Sequence, residues 1–337
     1  MVDFITNINS TINGFVWGLP MMVLILGVGV YLSIRCGFPQ FRHFVHIMKN
    51  TLGKAFEKKE KAEGAVSPFK AMCTALAASI GTGNIAGVSG AIAIGGPGAV
   101  FWMWISALLG MCTKFAEVTL AIKYRERNKE GDWVGGPMYY ITNGLGKGWK
   151  WLACVFATFG ALAAFGIGNM TQINTIAGTV NTAIAGFIPT TESQQTIIAW
   201  VVAIICALIC AIVLIGGIQR LADVCSLLVP VMAVIYIAAA LIIILVNAPA
   251  LPVALGAIVK GAFNPASVAG GLAGVGIKTA LTKGVGRGIF SNEAGLGSAP
   301  IAHAAADVDH PVKQGIYGVF EVFMDTIVVC TMTSLVV

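Results

Sequence analysis

The sequence has 337 residues, 57% of them hydrophobic and only 11% charged, with a formal net charge of +6 and a mean hydropathy of +0.85. Soluble domains carry about 25% charged residues, so this composition excludes a water-soluble globule and implies an all-α chain living largely in lipid. The 41 glycines agree, because membrane helices use small residues to bring backbones close together.

Residues 14–34 are uncharged and reach the about 20 residues a helix needs to cross a bilayer. The next stretch carries Arg35, Arg42, Lys49, Lys54, Lys58, Lys59, Lys61 and Lys70. Such a cluster between apolar segments reads as a cytoplasmic loop rather than a nucleic-acid surface. Residues 38–56 within it mix Phe, Ile and Leu with His43, His46 and lysines, the pattern of an amphipathic helix on the inner membrane face. A second segment spans residues 68–94. A third, residues 99–122, follows the turn Gly95-Gly96-Pro97-Gly98. Residues 123–147 are polar and basic. The fourth segment, residues 149–188, is too long for one vertical crossing and is either long and tilted, with an extramembrane extension, or kinked.

The fifth and sixth segments are residues 196–215 and 221–246. Residues 251–265 are punctuated by prolines and predict a short external helix. The seventh segment starts near Ala266, is interrupted by glycines and runs toward Arg287. The eighth is residues 314–337. With the Arg35–Lys70 stretch inside, the N-terminus falls outside, the basic loop 123–147 inside, and the loop 189–195, which has no Lys or Arg, outside. Residues 1–337 are expected to form a single transmembrane domain of about eight segments. The chain stops within an apolar run at Val337, which predicts that further helices follow.

The 8 cysteines form no CxxC pair, and most lie in apolar segments where free cysteine acts as a small hydrophobe. No metal centre or disulfide framework is expected, and residues 1–10 lack the basic start of a signal peptide. There is no HExxH, GxSxG or P-loop, so no enzymatic activity is expected.

The second segment contains Ser79-Ile80-Gly81-Thr82-Gly83-Asn84-Ile85-Ala86-Gly87. Each interior glycine weakens a helix by about 1 kcal/mol relative to alanine, and backbone broken at membrane depth must be buried in protein or line a wet cavity. Transporters use such breaks to present amides to a carboxylate and carbonyls to Na⁺. Gly83 and Gly87 also match a GxxxG packing motif, and on chemistry alone both readings stand.

Gly81-Thr82-Gly83-Asn84-Ile85-Ala86-Gly87-Val88, followed by Gly95-Gly96-Pro97-Gly98-Ala99-Val100-Phe101-Trp102-Met103-Trp104, resembles the alanine-or-glycine:cation symporter family. Gly135-Gly136-Pro137-Met138-Tyr139-Tyr140, Phe165-Gly166-Ile167-Gly168-Asn169-Met170 and Ser291-Asn292-Glu293-Ala294-Gly295-Leu296-Gly297-Ser298-Ala299-Pro300 strengthen the resemblance, which covers the whole chain. It implies a multi-pass plasma-membrane symporter of a bacterium or archaeon, in the inner membrane of a Gram-negative cell. Its substrates would be a small neutral amino acid and sodium ion, with no organic cofactor. The implied fold is the 5+5 inverted repeat of the bacterial leucine transporter. The first segment is then an extra helix, segments two to six form the first repeat, and the second repeat is incomplete. A proton-coupled carrier is the close alternative and a channel a more distant one.

The helix break, the spacing of polar residues and the resemblance together suggest site residues. Carbonyls of Ala77 and Ile80 would face one Na⁺, and Ser79 and Asn84 are weaker candidates for a second. Amides of Thr82 and Gly83 would hold the substrate carboxylate. The seventh segment would unwind opposite them at Gly270, Gly271, Gly274 and Gly276, although those glycines also suit plain helix packing. Phe165, Asn169 and Gln172 share one face of the fourth segment, as a cavity wall or as interhelical hydrogen-bonding groups. Glu321 and Asp325, i and i+4 within the eighth segment, must face protein or water. Lys114 and Glu117 are placed to pair with each other. Trp102 and Trp104 read as an interfacial belt, and His303 and His310 have no assigned role.

Overall fold

The computed structural model describes residues 2–54, 65–263 and 276–337. Helix α1 (Val2–Val16) leads into α2 (Leu19–Arg35). After the short helices Pro39–Arg42 and Phe44–Thr51 comes α3 (Pro68–Ser79), which starts at an N-cap: Ser67 Oγ accepts from the Lys70 amide at 3.4 Å, and Pro68 fills the first turn. A π-helical turn, Gly83–Gly87, leads into α4 (Val88–Gly95). The chain reverses at Gly96, whose φ of 70° suits glycine, and enters α5 (Gly98–Lys123). A two-stranded hairpin, β1 (Glu126–Arg127) with β2 (Trp133–Val134), precedes α6 (Pro137–Leu145).

Helices α7 (Lys150–Phe165) and α8 (Thr171–Ala185) are joined by a second π-helical turn, Gly166–Met170. Then follow α9 (Glu192–Leu214), opened by a Thr191–Gln194 capping box, α10 (Gly217–Val246), α11 (Leu251–Phe263) and α12 (Ile277–Asn292). The last elements are α13 (Pro311–Val322), a third π-helical stretch, Phe323–Cys330, and α14 (Thr331–Val336).

Among the described residues six helices are long and apolar enough to cross a membrane, or up to seven when the bent pair α3 and Gly83–Gly95 counts as one span. A polytopic α-helical architecture is therefore what the composition predicted. The fourth segment is one run, Lys147–Ala185, irregular at Gly166–Met170. The seventh segment ends at Asn292, beyond Arg287. Its expected start near Ala266, and Gly270, Gly271 and Gly274 with it, lie outside the described residues, while Gly276 is the N-cap of α12.

The core sits around α5, which packs against α2, α11, α12 and α13. Glycine makes these approaches possible. A Cβ on Gly98 would run into the Gly261 backbone, one on Gly284 into the Ala99 carbonyl, and one on Gly318 would lie 3.0 Å from the Lys114 carbonyl oxygen. Met72, Leu76, Met111, Val229 and Phe320 fill the space between α3, α5, α10 and α13. Phe44–Thr51 buries Ile47 and Thr51, and Phe44 meets Phe323 edge-on at 5.0 Å. Around α9, by contrast, no residue is buried.

Candidate ion and substrate site

The second segment breaks where its glycines predict. Ile80 leaves helical geometry at φ −79°, ψ 106°, the helix resumes at Gly83, and its two halves differ in direction by 51°. Asn84 stabilises the break from within: its side-chain Oδ1 accepts from the Gly81 backbone amide at 2.9 Å, and its backbone N–H donates to the Gly81 carbonyl at 3.1 Å. The side chain thereby replaces a partner that the helix ladder no longer supplies.

Asn84 is also the link to the second half of the chain. Its Nδ2 lies 2.7 Å from Asp325 Oδ1, 3.3 Å from the Asp325 carbonyl oxygen, 3.0 Å from Ser291 Oγ and 3.4 Å from Cys330 Sγ. Asp325 Oδ2 accepts from Thr326 Oγ1 at 2.7 Å, and Thr326 Oγ1 accepts from Asn292 Nδ2 at 3.1 Å. Asn84, Ser291, Asn292, Asp325 and Thr326 are all buried. The first and third π-helical turns thus face each other across a buried carboxylate, a carbonyl and a hydroxyl, oxygen ligands of the kind a hard cation prefers, which the Asn84 Nδ2 amide now occupies as donor.

The expected site residues divide. Ile80 is buried and extended at the break, while Ala77 lies on an exposed face of α3. Ser79 does not join Asn84: its hydroxyl donates to the Ala75 and Leu76 carbonyls of its own helix at 3.5 and 3.4 Å. Thr82 is beside Gln172, whose Oε1 accepts from Thr82 Oγ1 at 2.7 Å and from the Thr82 amide at 3.4 Å. Gln172 therefore holds the position where a substrate carboxylate was expected. Phe165 is 72% exposed, and Asn169 Nδ2 donates to Ala164 in its own helix at 2.9 Å. Of the three residues grouped on that face, the structure brings only Gln172 to the break. Residue spacing alone does not reveal which part of a long, mostly apolar helix meets a partner.

Other expectations change as well. Lys114 pairs with Glu321, Nζ to Oε1 3.1 Å, rather than with Glu117; Glu117 Oε2 instead accepts from the Gly295 amide at 3.1 Å. His303 is buried against Glu321 at 3.1 Å. Its Nδ1 lies 2.7 Å from Gln314 Nε2, which also donates to the Pro68 carbonyl at 3.2 Å. An amide nitrogen that serves that carbonyl offers its other proton to the imidazole, leaving Nε2–H to donate to Glu321. Breaking such a buried pair on one side leaves an uncompensated charge, a cost of about 3–5 kcal/mol. Trp102 and Trp104 are half-buried, donating to the Ala262 carbonyl at 3.2 Å and to Thr331 Oγ1 at 2.8 Å. They are interhelical ties more than a belt.

At the end of the molecule that carries the basic loops, Val66 pairs with Ala306 as an isolated bridge. Arg125 donates to the carbonyls of Ala304 and Ala306 and stacks on Trp133, 4.1 Å from the ring centre. Burial lowers the Arg125 guanidinium from its ordinary value. Burial, then the nearby Glu117, pushes the Tyr140 phenol up.

The sodium:alanine symporter family model matches residues 2–337. The chain belongs to this family. It is 48% identical to the sodium/alanine symporter AgcS of Methanococcus maripaludis over 340 residues, covering 99% of this chain and 70% of that protein. It is 47% identical to an uncharacterized transporter of Haemophilus influenzae, covering 98% and 69%. The amino-acid carrier protein AlsT of Bacillus subtilis is 42% identical, covering 100% and 67%. The chain thus spans about two thirds of the length of these relatives. It is a membrane protein of a transporter family.

The structure brings to the break three residues whose sequence context carries no ion role. In the sequence Asp325 is an intramembrane acid with no ion role attached to it. Ser291 stood in a motif without a function, and Arg287 marked the end of a segment. The signal for Asp325 was its cost: a carboxylate at membrane depth needs a reason to remain there.

Proposed function

We propose that this protein carries out sodium-coupled symport of a small neutral amino acid, alanine or glycine, by alternating access. The observation that carries the reading is the broken helix clamped by Asn84 to the buried carboxylate Asp325 and to Ser291. Na⁺ would take the place that Asn84 Nδ2 now holds beside Asp325 and Ser291, with the Asn84 amide turning to offer Oδ1, and the carbonyls of Ala77 and Ile80 would form part of a second position with Ser79 beside it. The substrate carboxylate would take the amides of Thr82 and Gly83, displacing Gln172 from Thr82. Phe165 and Asn169 would join only by a rearrangement of the Gly166–Met170 turn, and Gly270 and Gly271 would supply the facing unwound backbone. The small residues around the break suit alanine better than leucine. In this reading the chain forms most of a leucine-transporter-like inverted repeat, with its N-terminus outside, in the plasma membrane.

The test is uptake of labelled alanine into proteoliposomes. Symport predicts accumulation above the external concentration and its collapse when Na⁺ is replaced by choline. Uptake that only equilibrates marks a channel. The second reading, proton coupling, draws on Asp325 and Glu321, which are one turn apart and both buried. It predicts accumulation in choline driven by an inward pH gradient.

A further inference from the structure

Next to the break, on the side where α1 and α2 meet, lies a cavity of about 670 Å³. Its wall includes Trp17, Gly87, Gly90, Lys278, Lys283 and Arg287, and no Asp or Glu is among the residues that line it. Three cations thus face one cavity. Lys278 and Lys283 are exposed, but Arg287 reaches inward across the broken helix. A Cβ on Gly83 would lie 2.6 Å from Arg287 Nη2, and one on Gly87 would fall on the guanidinium itself. Phe290 holds the group from behind, 4.8 Å from its ring centre.

Arg287 Nε and Nη2 are buried, and neither has a hydrogen-bond partner among the described residues. Buried donors are rarely left unmade. Asp325 is the carboxylate in electrostatic reach of Arg287, yet its oxygens are held by Asn84 and Thr326. The two free donors are also the pair that forms one edge of the guanidinium, the edge that receives the two oxygens of a carboxylate in a side-on fork.

We propose that Arg287 is a carboxylate-docking residue. A small amino acid in this cavity forms a bidentate pair with Nε and Nη2, at the rim of Gly83 and Gly87, before its carboxylate passes to the amides of the break. Lys278 and Lys283 raise the local concentration of anions without touching the docked molecule. This inference rests on the symport reading for the identity of the ligand, but carboxylate docking at Arg287 is measurable without transport.

The experiment labels the native protein with phenylglyoxal and follows the Arg287-containing peptide by mass spectrometry. Alanine and propionate, which share the carboxylate, should slow modification about threefold or more, while alaninamide, which lacks it, should not. Equal rates with and without alanine and propionate would overturn the proposal. Protection by propionate in a protein that does not accumulate alanine would uphold docking and reject symport. In uptake assays R287Q should raise the KM for alanine about tenfold, R287K less, with Vmax and half-saturating Na⁺ within about twofold. A fall in Vmax at unchanged KM would assign Arg287 to a gate contact and overturn docking.

Discussion

Two stretches carry the same local irregularity and differ in everything around it. The π-helical turn Gly83–Gly87 and the π-helical turn Gly166–Met170 both lie in long apolar segments rich in glycine. In the first, the neighbours press in: Gln172 stands over Gly81 and Arg287 over Gly83 and Gly87. In the second, nothing among the described residues lies within 4 Å of where a Cβ would sit on Gly166 or Gly168. The first turn is held by Asn84 through bonds to α12 and to the Phe323–Cys330 stretch, whereas Asn169 in the second bonds only back to Ala164. A π turn is thus a change of helical register whose use depends on what stands opposite. The first is clamped and loaded with polar groups, and the second meets no such clamp among the described residues.

The contrast is sharpest where glycine meets backbone instead of a side chain that can swing away. At Gly98 a Cβ would strike the Gly261 backbone, so Gly98→Val has no cheap relief. Overpacking of this kind costs about 1–3 kcal/mol and more when main chain must move. The expected outcome is loss of monodisperse protein on size exclusion after solubilisation. A variant that solubilised and eluted like the wild type would show that the α5–α11 contact is looser than the structure has it.

Asn84→Ala removes the clamp while leaving the helices that carry it. It strips Asp325 of one hydrogen-bond donor and the Gly81 amide of its acceptor, a loss of about 1–3 kcal/mol for each buried group left unpaired. Protein should still be recovered, but the Na⁺ concentration for half-maximal alanine uptake should rise about tenfold, since 1.4 kcal/mol of binding is one decade. A sodium titration superimposable on the wild type would remove Asn84 from the ion site.

The clamped turn was the more legible of the two, and only in part. Gly81 and Gly83 two apart announce a break from local chemistry alone, and the helix boundaries around it follow from apolar length, capping residues and the Gly96 turn. The partners were not legible, because Ser291 and Asp325 are 207 and 241 residues away in the chain, and no local pattern carries that distance. Lys114 misled for the same reason: Glu117 is near in sequence, but Glu321 is the residue that α13 brings to it. Phe165 and Asn169 misled differently. The fourth segment is apolar on nearly every side, so its periodicity does not select an inward face, and the grouping with Gln172 rested on spacing alone. Arg287 was passed over as the end of a segment because nothing local says that two glycines across the fold leave room for its guanidinium.

The free turn offers the smallest effect and the most direct check on the comparison. Among the described residues nothing lies within 4 Å of a Cβ on Gly168, so a methyl group there displaces none of them. Replacing glycine by alanine within a helix lowers the entropy lost on ordering and favours the helical state by about 0.5–1 kcal/mol. Gly168→Ala should therefore leave the midpoint of thermal aggregation unchanged or slightly raised, where Gly98→Val lowers it severely. Uptake separates two uses of the open space. If the Gly166–Met170 turn only fits the long fourth segment to the membrane, alanine KM and Vmax stay within about twofold of wild type, the size of change expected of a surface substitution of at most 0.5 kcal/mol. If the turn must straighten to bring Phe165 and Asn169 toward the break, a helix-favouring residue shifts that equilibrium and changes KM while stability holds. A marked loss of stability in Gly168→Ala would instead mean that something packs on this turn, and the contrast between the clamped and the free turn would fall.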